Sequence, residues 1–285
     1  MATVVAIAIS GGMLQGLRPT SNSKSIQDVI HFVTYGIIVV VLLGVTVKMV
    51  SMTGGVITSI KNQMDAIFPI LLTLLTALGG TVSVSVYQPA MALLTGTILN
   101  FFSYILLPLF IFSIVFSVVS NLSNTVKLDK FTSFFHSTFK WLSGLIFTIF
   151  SAFISIQGIT AGSVDGISIK TAKYAIRSYV PILGSYISDG LSIIIASSSL
   201  IKNAVGAAGL LLLLATIISP LIKLIIFMLA LKLMSAIIEP LGNSKVANFI
   251  SGISKSMVLL IAIIIGVTFI YFIMLGLIMC SANIF

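Results

Sequence analysis

Three stretches of this chain carry no Asp, Glu, Lys or Arg: Ala66 to Val126, Trp141 to Val164 and Ser256 to Phe285. A helix that crosses a bilayer needs about 20 apolar residues. Each stretch is long enough to cross, and the first is long enough to cross more than once. Composition points the same way. Of 285 residues, 58% are hydrophobic and 7% are charged, against about 25% charged in an ordinary soluble domain. Mean hydropathy is +1.23. The expected class is an all-α polytopic membrane protein with seven to eight hydrophobic helices, some broken by proline.

The net charge is +9. Its lysines and arginines are scattered rather than gathered in a patch, which argues against nucleic-acid binding. Lysines at helix ends that meet lipid phosphates explain the excess better. Cys280 is the only cysteine, so the chain has no internal disulfide. Met1 to Leu17 is apolar but has neither a basic leader nor a clear cleavage site. A chain that opens inside an apolar segment suggests a natural amino terminus further upstream.

Taken in order, Ala2–Leu17 is a first apolar block and Val29–Val50 a second. Ser51–Ala66 is mixed and reads as a short amphipathic or interfacial piece. Ile67–Tyr87 starts as leucine-rich helix and meets Gly79-Gly80. The residues after that pair alternate Val with Ser and Thr. A re-entrant or unwound segment and a helix with a loose end both fit. Ala90–Asn121 contains Pro108, and Ala204–Ile238 contains Pro220. Each proline removes a backbone donor, so a kink or break is expected at both. Lys127–Lys140 is a basic, phenylalanine-rich interfacial helix leading into a span at Trp141–Gln157. Val180–Ser199 and Ser256–Cys280 complete the set.

Between the blocks lies Ser155 to Gly190, which holds Asp165, Lys170, Lys173, Arg177 and Asp189, five of the chain's 21 charged residues. Glycines and Pro181 interrupt it. A backbone so broken and polar belongs in water, at the interface or against other protein, not in lipid.

An internal repeat is legible in the landmarks. Lys61, Pro69 and Pro108 recur 112 residues on as Lys173, Pro181 and Pro220. Lys130, Phe134 and Lys140 recur 115 residues on as Lys245, Phe249 and Lys255. The organisation read from this is two N-terminal segments over residues 1–60, a first repeat over 61–158, a polar junction over 159–172 and a second repeat over 173–285. Parallel and inverted arrangements both stay open. With eight crossings, lysine and arginine divide seven against six between the sides, so the positive-inside rule assigns no orientation.

Signatures of chemistry are missing. The two histidines lie far apart in sequence, and no metal spacing, nucleophile elbow or phosphate loop occurs. The chain is therefore read as a non-enzyme without cofactor or metal. Polar groups in or beside apolar blocks are the better lead. Lys223 follows Pro220, and Lys232 lies seven residues before Glu239. A lysine at mid-bilayer costs roughly 2.5–3.5 kcal/mol unless it snorkels or faces a cavity. Asn100 and Gln157 suit interhelical hydrogen bonding. Asp165 and Asp189 flank Lys170, Lys173 and Arg177, which fits either local ion pairing or a contact to a partner or substrate.

The run QGITAGSVDGISIKTAKYAI, from Gln157 through Thr160 and Asp165 to Ile176, is followed by VPILG at Val180–Gly184. These residues resemble the stage III sporulation protein AE family. So do Leu200-Ile201-Lys202-Asn203 with Val205-Gly206, Pro240-Leu241-Gly242 and Ile253-Ser254-Lys255-Ser256. The likeness runs from about Leu14 to the end. It implies an endospore-forming bacterium and a multi-pass protein of the mother-cell membrane around the forespore. The expected role is as a component of a channel or secretion-like complex that supports late forespore development. Expected partners are other stage III sporulation membrane proteins, the forespore-side channel protein and the lipid bilayer, with self-association as a further option. Members of the family are expected to carry a signal sequence and an extracytoplasmic region ahead of the membrane part. The resemblance brings no catalytic residues. A non-transporting scaffold and an independent small-solute transporter are the competing functional readings.

Overall fold

The computed structural model describes residues 24–122, 128–179, 184–241 and 244–281. Helix α1 is Lys24–Ala77 and α2 is Thr81–Leu93. Two π-helical turns, Leu94–Ile98 and Phe102–Leu106, lead into α3 at Leu107–Leu122. Helix α4 is Asp129–Tyr179, α5 is Gly184–Ile238 and α6 is Ser244–Cys280. No strand occurs among the described residues. Five helical stretches are long and apolar enough to cross a membrane: Tyr35–Ala77, Thr81–Ser120, Lys130–Ser155, Tyr186–Ile238 and Val246–Cys280.

The expected class holds, with fewer and longer helices than seven to eight. The block Ala2–Leu17 lies outside the described residues. Ser51–Ala66 is not a separate interfacial piece, because α1 runs through it for 54 residues in all. At 1.5 Å per residue that is about 80 Å of helix, against a hydrocarbon core of about 30 Å. The sequence also predicts interrupted backbone after Ser155. Instead α4 continues through Gly158, Gly162 and Gly166 to Tyr179. Thr81–Tyr87 is helical too. The physical reason is common to all three. A glycine costs a helix only about 1 kcal/mol relative to alanine, whereas an unsatisfied peptide group away from water costs several.

The same balance operates at the prolines. Helix α5 passes Pro220 without interruption. Pro108 has no N–H for the Tyr104 carbonyl, and the turn just before it is widened into the π segment Phe102–Leu106. A widened turn carries the chain past the ring without ending the helix.

The break between α1 and α2 is a defined motif. Gly79 has φ 82°, a left-handed conformation that favours glycine. Gly80 N–H donates to Leu75 O at 2.9 Å and Gly79 N–H to Thr76 O at 2.8 Å. This six-to-one and five-to-two pair is a Schellman C-cap, which satisfies the last carbonyls of α1. Gly80 is needed for a different reason. A Cβ there would lie 2.9 Å from Leu75 Cγ and 3.0 Å from the Leu75 carbonyl oxygen.

The chain divides into two compact units, and each takes stretches from both halves of the sequence. The first gathers Ser103–Leu142, Ser219–Ile264 and the described residues up to Gly55. Here Ser254 Oγ of α6 donates to Met228 O of α5 at 3.0 Å, and Ser235 Oγ of α5 donates to Ala247 O of α6 at 2.8 Å. Gly252 lies so close to α3 that an added Cβ would be 3.0 Å from Ser117 Oγ. Phe116 stacks on Phe131 and Phe135, with centroids 5.5 and 5.2 Å apart. His136 of the basic aromatic helix shares a 3.0 Å hydrogen bond with Ser256 Oγ.

The second unit gathers Val56–Phe102, Ser143–Ile218 and the chain from Ile265 on. Its core includes Ile60, Met64, Phe68, Leu71, Leu75 and Tyr271, all fully buried. Phe68 meets Tyr271 edge-on at 5.6 Å. Close approach of helices depends on glycine: a Cβ at Gly209 of α5 would lie 2.8 Å from Leu275 Cδ1 of α6, and one at Gly266 of α6 would lie 2.7 Å from Phe147 Cζ of α4. Small residues at such crossings are what lets helices pack where lipid removes the hydrophobic drive.

Gly79→Ala is expected to cost about 1–2 kcal/mol, the penalty of placing a Cβ in the left-handed region. Gly80→Ala is also expected to destabilise, through contact with Leu75. Gly55→Ala, where a Cβ meets nothing within 4 Å, is expected to leave stability unchanged or raise it. Thermal unfolding of the purified protein in detergent measures all three.

Candidate functional site

The glycine turn folds the end of α1 back along α2 and opens a cleft of about 750 Å³ between them. Asp65, Pro69, Thr73 and Thr76 line it from α1. Gln88 of α2 and Thr95 of the π segment line it from the other side. All belong to the second compact unit. On α1 the positions fall at i, i+4, i+8 and i+11, which is one helical face. A cavity of this size with a few convergent polar groups fits the usual range of a small-ligand site. A smaller pocket of about 150 Å³, lined by Leu93, Leu94, Ile149 and Phe153, is almost wholly apolar.

The hydroxyl protons in the larger cleft are already committed. Thr73 Oγ1 donates to Pro69 O at 2.8 Å, Thr76 Oγ1 to Leu72 O at 2.9 Å and Thr95 Oγ1 to Met91 O at 3.0 Å. Hydrogen bonding one turn back is the usual choice of a threonine inside a helix. It leaves the oxygen lone pairs as what these side chains offer a ligand. Pro69 provides no N–H to the Asp65 carbonyl, so a backbone acceptor loses its usual partner at the same place.

Asn100 lies between the two π turns. Its Nδ2 donates to Gly96 O at 2.6 Å, and its Oδ1 accepts from Lys61 Nζ at 3.4 Å. Gln63 Nε2 donates to Thr216 Oγ1 at 2.6 Å. These contacts are interhelical hydrogen bonds of the kind expected for amides inside apolar segments.

The residues singled out from sequence are dispersed. Gln157, Thr160 and Asp165 lie on α4, with side chains outside the described set. Lys170 is exposed and Lys173 half-buried. Arg177 Nη2 pairs with Asp189 Oδ1 at 2.9 Å, and its Nε donates to Ser188 Oγ at 2.9 Å. This ties the end of α4 to the start of α5. The paired side chains are 58% and 64% exposed, so the pair contributes at most about 1 kcal/mol. Pro181 lies outside the described residues. Lys223, Lys232 and Lys255 are exposed, and Asn203 is half-buried.

Lys202 behaves differently. It is fully buried, and its Nζ donates to the Ser281 carbonyl at the end of α6. Ser281 Oγ in turn hydrogen-bonds Tyr87 Oη at 2.8 Å. A cation on the terminal carbonyls of a helix complements both the unsatisfied acceptors and the negative end of the helix dipole. Asp65, Thr73, Thr76, Gln88 and Thr95 escape a reading that looks for charge at block junctions. The signal that finds those on α1 is the common helical face of Asp65, Pro69, Thr73 and Thr76.

The fold defines an all-α, multi-span membrane protein with a polar cleft at a glycine-made helix break. The chain matches the Stage III sporulation protein AE family over residues 1–282 and belongs to it. A relative, Stage III sporulation protein AE of Bacillus subtilis (strain 168), is 28% identical over 283 residues, covering 99% of this chain and 71% of the relative's length. No solved structure matches.

Lys202→Ala is expected to lower stability by about 1.5–3 kcal/mol, the scale of a hydrogen bond to a charged group. Arg177→Ala is expected to cost less than about 1 kcal/mol, as for exposed pairs generally. Paired thermal melts in detergent distinguish the buried contact from the exposed one.

Proposed function

We propose that this chain is the membrane-embedded, transport-like subunit of a channel or secretion-like complex that joins mother cell and forespore and supports late forespore development. Membership of a stage III sporulation family supports the process. The polar cleft at Gly79-Gly80 carries the transport reading. Helix breaks beside a cavity within a membrane segment are where transporters place their binding sites. The proposed location is the mother-cell membrane around the forespore. The proposed partners are other stage III sporulation membrane proteins and the forespore-side channel protein. The chain acts by binding and passage rather than by covalent chemistry. The landmark repeat fits this role. Helices α4 and α6 start at Asp129 and Ser244, separated by the same 115 residues as Lys130 and Lys245.

A scaffold reading draws on a different observation. The phenylalanines of α3 and α4 form a stacked group in which Phe112, Phe131 and Phe134 are largely exposed. A face of that kind suits a protein or lipid neighbour. Cleft-blocking variants in a sporulating cell separate the two readings. Ala92→Phe fills the cleft from α2, and Gly79→Val distorts the turn. Transport predicts loss of heat-resistant spores after engulfment, with the protein still in the membrane and still copurifying with its partners. Normal spore yield from both variants overturns the transport reading. Loss of spores only when copurification is lost favours the scaffold. Solute uptake by the chain alone in proteoliposomes would make it an independent transporter.

A further inference from the structure

We propose that lysines of the first compact unit form a docking band for anionic phospholipid headgroups. The inference does not depend on whether the chain transports anything.

Position comes first. Ser254 Oγ of α6 donates to Met228 O of α5, and Ser256 Oγ of α6 shares its hydrogen bond with His136 Nε2 of α4. These two contacts bring α4, α5 and α6 to one height. Lys255 stands there on α6. Lys223 and Lys232 lie five residues before and four after Met228, and Lys130 and Lys140 lie six before and four after His136. At 1.5 Å per residue, all five lysines fall within about 9 Å of the same height along the helices. Ser254 and Ser256 are about 200° apart around α6. Helices α5 and α4 therefore flank α6, and Lys255 points out between them.

Charge comes second. All five lysines are exposed, and none of them takes part in an ion pair among the described residues. The acidic residue of this unit whose side chain is described, Glu239, lies past the end of α5. Capping does not account for the lysines either. Lys140, Lys223, Lys232 and Lys255 all sit inside their helices, away from the last turn.

The third point is what surrounds them. The same helices expose Phe131, Phe134, Trp141, Ile226 and Leu233 among the lysines. A soluble polyanion matches the charge but leaves these side chains in water. An anionic phospholipid matches both. Its acyl chains cover the apolar groups, while the lysine stems run along them and the ammonium groups reach the phosphates. A tryptophan beside such a lysine is the usual marker of headgroup level.

Trp141 also supplies the test. It is the only tryptophan of the chain and directly follows Lys140, so its fluorescence reports on lipid at the band. The full chain is reconstituted in phosphatidylcholine vesicles containing a minor fraction of phosphatidylglycerol, with bromine on the acyl chains of one lipid or the other. Brominated phosphatidylglycerol is expected to quench Trp141 as if enriched about fivefold over its bulk fraction, the attraction of one lysine to an anionic surface. Salt is expected to reduce the enrichment by screening. Glutamine at Lys130, Lys140 and Lys255 together is expected to abolish it, and arginine at the same three positions to keep it. Lys170→Gln, at an exposed lysine of the second unit, is expected to leave it unchanged. Lys223 and Lys232 are read by melting temperature in detergent. Added phosphatidylglycerol is expected to raise it in the wild type and to raise it less in the Lys223→Gln, Lys232→Gln double variant, with no rise from phosphatidylcholine. Equal quenching by the two brominated lipids overturns the proposal and needs no variant. So does an enrichment that survives the triple glutamine variant. Quenching by neither lipid puts a second copy of the chain or water on this face, and overturns it as well.

Discussion

Every peptide group in this chain that lies away from water needs a partner within the protein, and the architecture follows from that requirement. In an apolar medium a peptide group without a partner costs several kcal/mol. The helix ladder supplies those partners locally, so helix persists through residues that would end it in water. Helix α5 holds Pro220 in its interior, and α4 carries three glycines through its polar half. Where the ladder does change, something specific replaces it. Gly79 and Gly80 close a Schellman cap, and the π turns near Pro108 widen the helix instead of ending it.

Side chains complete the backbone in the same spirit. Threonine and serine hydroxyls repeatedly donate one turn back, as at Thr46, Thr53 and Thr148. Lys202 closes the end of α6, and Asn100 bridges the Gly96 carbonyl and Lys61. These bonds look merely structural one at a time. Along the cleft they have a chemical consequence. By turning their protons inward, Thr73, Thr76 and Thr95 leave oxygen lone pairs spaced along the cleft. The candidate site is thus partly a by-product of how helices keep their hydroxyls satisfied.

Packing between helices is carried by shape. Lipid tails are as apolar as leucine, so burial alone does not choose partners. Gly206, Gly209 and Gly266 mark where α5 and α6 come closest to their neighbours in the second unit, and Gly252 does so in the first. Helix α6 is the most enclosed of the five apolar stretches, with 56% of its apolar window buried against 17% for α4 and α5. The large exposed apolar faces of α4 and α5 are therefore free for lipid or for partners.

The all-helical membrane class was legible from Ala66–Val126, Trp141–Val164 and Ser256–Phe285, because twenty uncharged apolar residues in a row leave the backbone little alternative. The family was legible in the run from Gln157 to Ile176, and the turn at Gly79-Gly80 in its paired glycines. Helix lengths were not, because proline and glycine read as stops in water and as tolerable costs in apolar surroundings. The cleft was hidden for another reason. Asp65 and Thr95 are far apart along the chain and line one cleft only once α1 and α2 fold against each other. Local composition decides what each segment must be, since solvation acts on every residue separately. Which oxygens share a cavity, and that Lys202 ends up on the last carbonyl of α6, depends on how helices cross, and crossing is set by three-dimensional fit.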